Sequence, residues 1–153
     1  MSTRGEDGTD LGWALHAVVR RYRRLTDDLL SDLPGGPRGY QVLMTTQHGP
    51  PRSQLALAHY LGVDRTIMTY LLDDLEDAGL VTRTPAPNDR RTRHLELTKK
   101  GRTTLSRARR RLKAAEESLL APLDPEQQQS LRTLLHHLAR AELNAHNTHI
   151  RKS

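Results

Sequence analysis

Cysteine and phenylalanine are both absent from this chain, and aromatic residues make up only 3% of it. Without cysteine there is no disulfide, no thiolate nucleophile and no thiolate metal ligand. Without phenylalanine, the core must rest on leucine. No apolar run approaches the ~18 to 20 residues that span a bilayer, and no charged-then-apolar leader opens the chain, so a cytoplasmic, nucleoid-associated protein with no membrane partner is expected. The signatures of catalysis are missing too: there is no HExxH, no GxSxG and no glycine-rich phosphate loop. Neither an enzyme nor a cofactor is expected.

What is present in excess is positive charge, and it is unevenly placed. The 153 residues carry a formal charge of +6, and the isoelectric point is about 10.2. Between Arg83 and Lys113 there are twelve Lys/Arg against Asp89 and Glu96, a local +10 that leaves −4 for the remainder. A concentrated basic region in an otherwise mildly acidic chain fits a protein that turns one face toward a polyanion.

The basic region begins as a hairpin. Leu80, Val81 and Thr82 favour a strand, Pro85 and Pro87 cannot donate to a ladder, and Asn88-Asp89 is a turn pair. From Thr92 to Leu97 the pattern alternates, with Leu95 and Leu97 on one face and His94 and Glu96 on the other. Thr98 then caps a helix. The tip carries Asp89, Arg90, Arg91 and Arg93, narrow and cationic enough to enter a DNA minor groove. A solvated charged turn is the other reading of the same residues.

Two helices precede the hairpin. Residues 53–61 read as a short helix with Ser53 as N-cap, Gln54 at its start, and Leu55, Ala58 and Leu61 on one face. Gly62-Val63 makes a tight connection. Asp64 caps a second helix whose Met68, Leu71, Leu72 and Leu75 form a buried stripe and which Gly79 stops in the left-handed conformation. Arg65, Thr66, Thr69, Tyr70 and Asp73 fall on the opposite face, where they could reach base edges, Arg65 being placed for guanine or phosphate. Two helices, a glycine turn and a hairpin make a winged helix-turn-helix, although an ordinary helical hairpin with a solvated face shares the first half of the pattern.

At this level of detail the run LALAHYLGVDRTIMTYLLDDLEDAGLVTR followed by PNDRRTRHLELTKKG resembles the MarR family of bacterial transcription regulators. The AGLVTR helix end, the NDRR tip and the junction from Leu97 to Gly101 carry the resemblance, which covers about residues 53–101. It implies double-stranded DNA as partner, Asp89 bracing the tip by pairing with a neighbouring arginine, and Arg91 or Arg93 in the minor groove. Members often carry arginine where this chain has Tyr70, and a basic or polar residue where it has Asp74. The peroxide sensing that some members run through a cysteine is excluded here.

The ends of the chain read as dimerisation elements. Met1 to Thr9 is expected to be disordered. Asp10 caps a helix in which Leu11, Leu15, Val18, Tyr22, Leu25 and Leu29 form a seam, stopped by Pro34-Gly35-Gly36-Pro37. A short helix follows from about Arg38 to Gln47. Leu105, Ala108, Leu112, Ala115 and Leu119 stripe the helix after the hairpin. Asp124-Pro125-Glu126-Gln127 then supplies an N-cap, a first-turn proline and a reciprocal capping partner for a last helix striped by Leu131, Leu134, Leu135 and Leu138. The division expected is dimerisation helices at 10–33 and 105–150 around a winged helix-turn-helix domain at 38–104. The fold class is therefore mainly α with a small β-hairpin wing. A second copy is the economical cover for the terminal apolar faces, the alternative being that they pack on their own domain.

By the resemblance, a small aromatic anion would bind between the dimerisation helices and the winged domain. Trp13, His16 and Arg20 share a side of the first helix and Tyr40 could approach from the second, a set suited to a carboxylate-bearing aromatic effector. Trp13 as plain core packing is the competing reading. His136-His137 and His146 with His149 could meet a metal, but no carboxylate or thiolate completes a site, so no metal is expected. The function this reading reaches is a homodimeric, sequence-specific DNA-binding regulator, a repressor released by a small ligand. A basic architectural or RNA-associated protein is the alternative.

Overall fold

The computed structural model describes residues 10–49 and 52–150, with side chains up to 145. The expectation for Met1 to Thr9 therefore falls outside the described residues, as do the side chains of His146 and His149. The order is α1 (Leu11–Thr26), a 3-10 turn (Asp28–Leu30), α2 (Pro37–His48), α3 (Gln54–Leu61), α4 (Arg65–Asp77), β1 (Val81–Ala86), β2 (Asp89–Leu97), α5 (Lys99–Leu120) and α6 (Pro125–Ile150). This is the mainly helical, winged architecture that the hydrophobic patterning implied.

Helix starts are set by short polar side chains that accept otherwise orphaned backbone N–H groups. Asp10 accepts from Trp13 N at 2.8 Å, Ser53 from Ala56 N at 3.2 Å, and Asp64 from Thr66 N at 2.8 Å. Asp124 and Gln127 cap each other reciprocally, at 2.9 and 3.1 Å. Gly62 ends α3 at φ 62°, a conformation that costs L side chains strain and turns the chain directly into α4.

The core gathers α2, α3, α4, the hairpin and the first half of α5. Met68, Leu71, Leu72 and Leu75 of α4 are buried as their spacing required, against Val42, Leu43, Leu57, Leu105 and Leu112. Each such leucine contributes about 1.5–3 kcal/mol through area removed from water. Thr98 ties the core to the wing: its hydroxyl donates to Gly79 O at 2.6 Å and accepts from Gly101 N at 2.9 Å. A Cβ on Gly101 would lie 2.0 Å from Leu80 O, so only glycine lets α5 start this close to the strand. That contact is the physical content of the Leu-Thr-x-x-Gly junction.

The structure corrects several details. On α3 the buried residues are Leu57 and Ala58, whereas Leu55 is 59% exposed, because α3 packs against α2 and β2 as well as α4, and Leu57 faces Thr46 and Leu95. Helix α1 stops at Thr26, well before the Pro-Gly break. There the Thr26 hydroxyl bonds back to Tyr22 O at 2.9 Å, and the Asp27-Asp28 pair, poor in helix propensity, passes into the 3-10 turn. That change of winding buries Leu30 at 2% exposure instead of Leu29. On α5, Leu120 is buried and Leu119 is half-buried.

The wing is a two-stranded antiparallel hairpin with Val81 opposite Leu97, Arg83 opposite Leu95 and Ala86 opposite Asp89. Strand β1 runs through Pro85, opposite Arg93, with a register shift between Pro85 and Ala86. In a sheet of two edge strands a missing donor can point outward. Strand β2 begins at Asp89, three residues before the alternation at Thr92. The start of α3 adds itself to this sheet: Ser53 bridges His94, and Leu95 N donates to Arg52 O at 3.4 Å.

Candidate nucleic-acid interface

Two cationic features lie on the surface that α4 and the wing share. On α4, Arg65 and Thr66 are exposed at the helix start and Tyr70 is 67% exposed. The other two residues of that polar face are engaged. The Thr69 hydroxyl donates to Arg65 O at 3.0 Å and accepts from Gln54 Nε2 at 2.6 Å, which ties α3 to α4. The Asp73 carboxylate is ion-paired with Arg83 of β1.

Arg83 is the hub of this face, and the sequence pattern did not single it out. Its guanidinium donates to Asp73, to Glu76 at 3.2 and 3.3 Å and to Gln54 Oε1 at 3.4 Å. It thereby joins α3, α4 and β1. Its hydrogen bonds hold the Glu76 carboxyl below the ordinary glutamate range, and the same bonds, accepted by Glu76 and Asp73, raise Arg83 in return. The only local signal was an arginine in β1 seven residues after Glu76, and strand direction was needed to bring the two together.

At the wing tip Arg90, Arg91 and Arg93 are exposed, and among the described residues no ion pair takes them up. Asp89 braces the tip differently from what the resemblance implied. It accepts from the backbone N–H of Arg91 at 2.9 Å and from the Thr92 hydroxyl at 2.8 Å, not from an arginine side chain. Those bonds, from the Arg91 N–H first and then the Thr92 hydroxyl, hold its carboxyl below the usual aspartate range. A turn side chain that satisfies its own backbone leaves the neighbouring guanidinium groups for a partner.

The rest of the basic run is distributed otherwise. Lys100 Nζ donates to Ala78 O at 2.8 Å, Arg102 to Leu97 O at 2.9 Å, and Arg111 pairs with Asp32 at 2.6 Å. The cations from Arg107 onward lie roughly 12 Å or more along α5 from the hairpin, at ~1.5 Å per residue.

Among the described residues no hydrogen bond or ion pair joins Trp13, His16, Arg20 and Tyr40 to one another. Trp13 is 65% exposed, His16 Nδ1 lies 2.7 Å from Gly12 O on its own helix, and Arg20 is exposed. Tyr40 is half-buried among core residues. Burial, with Tyr22 and Glu116 nearby, pushes its hydroxyl up to about 12. Tyr22 is roughly 13 Å along α1 from Trp13 at the same rise per residue. Among the described residues no group of three or more His, Cys, Asp or Glu is placed to hold a metal. No described helix is long and apolar enough to cross a membrane.

A recognition helix seated on a leucine core, a short helix crossing behind it and a cationic hairpin beside it define a winged helix-turn-helix protein. Comparison with known proteins makes this specific. Residues 39–92 match the MarR family. Apo wild-type MarR from E. coli is 27% identical at a TM-score of 0.71, covering 84% of this chain and 96% of that one. The transcriptional repressor CouR, solved bound to a 23-mer DNA duplex, is 33% identical at a TM-score of 0.68, covering 84% and 92%. The Mycobacterium tuberculosis MarR family protein Rv2887, solved in complex with DNA, is 30% identical at a TM-score of 0.67, covering 84% and 96%. The chain belongs to the MarR family of winged helix transcriptional regulators.

Proposed function

We propose that this protein is a homodimeric repressor that binds a pseudo-palindromic operator in double-stranded DNA within the cytosol and is released by a small aromatic or anionic ligand. The observation that carries the reading is the pairing of two features. An α4 face with Arg65, Thr66 and Tyr70 exposed stands beside a hairpin tip whose Arg90, Arg91 and Arg93 have no intramolecular carboxylate partner among the described residues. In this reading α4 lies in the major groove with the start of α3, at Ser53 and Gln54, against the backbone. The wing arginines follow the adjacent minor groove. Thr69 and Asp73 contribute by holding α4 in register with Gln54 and Arg83. CouR and Rv2887 solved with DNA are consistent with this.

Dimerisation is supported by apolar surface at the two ends of the chain. Leu11, Trp13, Leu15, Val18 and Val19 of α1 are each more than 40% exposed, as are Leu134, Leu135 and Leu138 of α6. Covering them with a second copy would set two α4 helices about 34 Å apart, one turn of B-DNA. In the proposed division, residues 10–33 and 105–150 dimerise and 38–104 bind DNA. Trp13, His16, Arg20 and Tyr40 would meet a ligand only in a cavity that the partner helps to close. The test is fluorescence anisotropy on a duplex from the protein's own upstream intergenic region against a scrambled duplex at fixed salt. Preference of at least ~10³-fold with one dimer per site supports the regulator. Equal affinity with a steep salt slope would instead describe an architectural nucleic-acid-binding protein.

A further inference from the structure

Arg52 is the one charged side chain among the described residues that is buried, at 7% exposure. Among the described residues its Nε, Nη1 and Nη2 have no hydrogen-bond partner. The Tyr60 ring lies 4.7 Å below the guanidinium carbon. A desolvated cation–π contact offsets only part of the cost of burying a charge, and it satisfies no N–H donor. The group therefore stands desolvated, charged and in want of acceptors.

The surroundings show where acceptors can enter. Thr46, Arg52, Leu57 and Leu95 line a void of about 10 Å³ at the guanidinium, close to the smallest space that takes one water-sized group. Behind it a cleft of about 300 Å³ is lined by Thr46, Gln47, Gly49, Leu95, Glu96, Leu97 and Arg102. Thr46 and Leu95 are walls of both. A Cβ on Gly49 would lie 3.5 Å from Arg52 Nε and 3.9 Å from Nη2, so the bare backbone of Gly49, which also lines the cleft, comes close to the guanidinium.

We propose that Arg52 anchors a binding site for a small-molecule carboxylate, with one carboxylate oxygen in the void and the body of the ligand in the cleft over Leu95 and Leu97. A single water filling the void would leave most of the guanidinium donors unmet and the charge uncompensated, whereas a carboxylate matches the planar fork. Arg102, the other cation of the cleft, already donates to Leu97 O. Glu96 on the rim opposes dianions, which favours a monocarboxylate over a phosphate. The site lies at the joint of helix pair and wing, where Leu95 N donates to Arg52 O and Ser53 bridges His94.

The test uses the full chain without DNA, so its outcome is independent of the proposed operator binding. Thermal unfolding is followed at constant ionic strength with sodium acetate, sodium benzoate, sodium phosphate or sodium chloride, for the natural protein, Arg52→Met and Arg91→Ala. At a hundredfold excess over Kd, acetate or benzoate should raise Tm by about 5 °C or more in the natural protein and in Arg91→Ala. Arg52→Met should melt no lower than the natural protein in chloride, since a buried unpaired charge has been removed, and should show no carboxylate response. An equal rise in Arg52→Met, a response to phosphate alone, or no rise with either carboxylate would overturn the proposal. Should Arg52→Met fail to fold, the Arg52 Nε–H resonance of the natural protein decides: movement during benzoate titration supports the site, and a fixed position overturns it.

Discussion

Replacing Arg83 with methionine removes a charge while keeping most of the side-chain volume, and it separates the two jobs that this residue performs. Its guanidinium pairs with Asp73 and with Glu76 at 3.2 Å, with side-chain exposures of 21% for Arg83 and 47% and 42% for the carboxylates. Pairs this solvated are worth roughly 0.2–1 kcal/mol each after screening, and the long bond to Gln54 adds less. The expected loss of unfolding free energy is therefore about 1 kcal/mol, measured by urea titration. DNA affinity should fall further, by about tenfold or more at fixed salt. Asp73 would then face the phosphates unpaired, and Gln54, which spaces α3 from Thr69 of α4, would lose one partner. The double variant Arg83→Met with Asp73→Asn should recover part of that affinity without recovering stability. Acid unfolding gives an independent check. Arg83 lowers the folded-state pKa of Glu76, so the stabilisation is complete above the ordinary value of 4.5 and disappears as pH falls through the lowered one. The natural protein should thus lose its advantage over Arg83→Met below about pH 4.5. Unchanged DNA affinity in Arg83→Met, or no recovery with Asp73→Asn, would refute the bracing argument.

Other perturbations have outcomes set by single contacts. Arg91→Ala should weaken binding to every operator by a similar factor and reduce the salt slope by about one, with the dimer intact by light scattering. Arg65→Ala should change the base-preference profile of the half-site; an unchanged profile would confine Arg65 to phosphate. Gly101→Ala forces a Cβ to within 2.0 Å of Leu80 O, and it should cost about 1–3 kcal/mol in urea melts by displacing α5 from the strand. Leu134→Asp with Leu138→Asp, at positions already 63% and 68% exposed, should leave the protomer folded by circular dichroism and shift it to monomer in sedimentation; a retained dimer would place the interface elsewhere.

What could be read from the sequence was what short-range chemistry decides. The caps at Asp10, Ser53, Asp64, Thr98 and Asp124, the glycine stops at Gly62 and Gly79, the α4 stripe and the arginine tip each depend on residues within a turn or two of one another. An N-cap hydrogen bond or a 3.6-residue period is complete inside such a window. The structure departed from that pattern where packing between elements, or the exact geometry of a turn, chose the partner. Leu55 and Leu57 are both leucines on α3, and only the packing of α3 on its neighbouring elements makes Leu57 the buried one. Asp89 had arginines on its C-terminal side, and the tightness of the turn gave it a backbone N–H instead.

The linear chain thus determined that this protein is a leucine-cored winged helix-turn-helix with a cationic tip, because those features are sums of local preferences. Tertiary structure alone decided that Arg83 would gather Asp73, Glu76 and Gln54 from two helices, and that Arg52 would be folded beside Leu95 of β2 and against Tyr60 with no acceptor among the described residues. Such contacts join residues that are distant along the chain or belong to different elements. Their energies depend on how strands and helices cross, a geometry that no local preference contains.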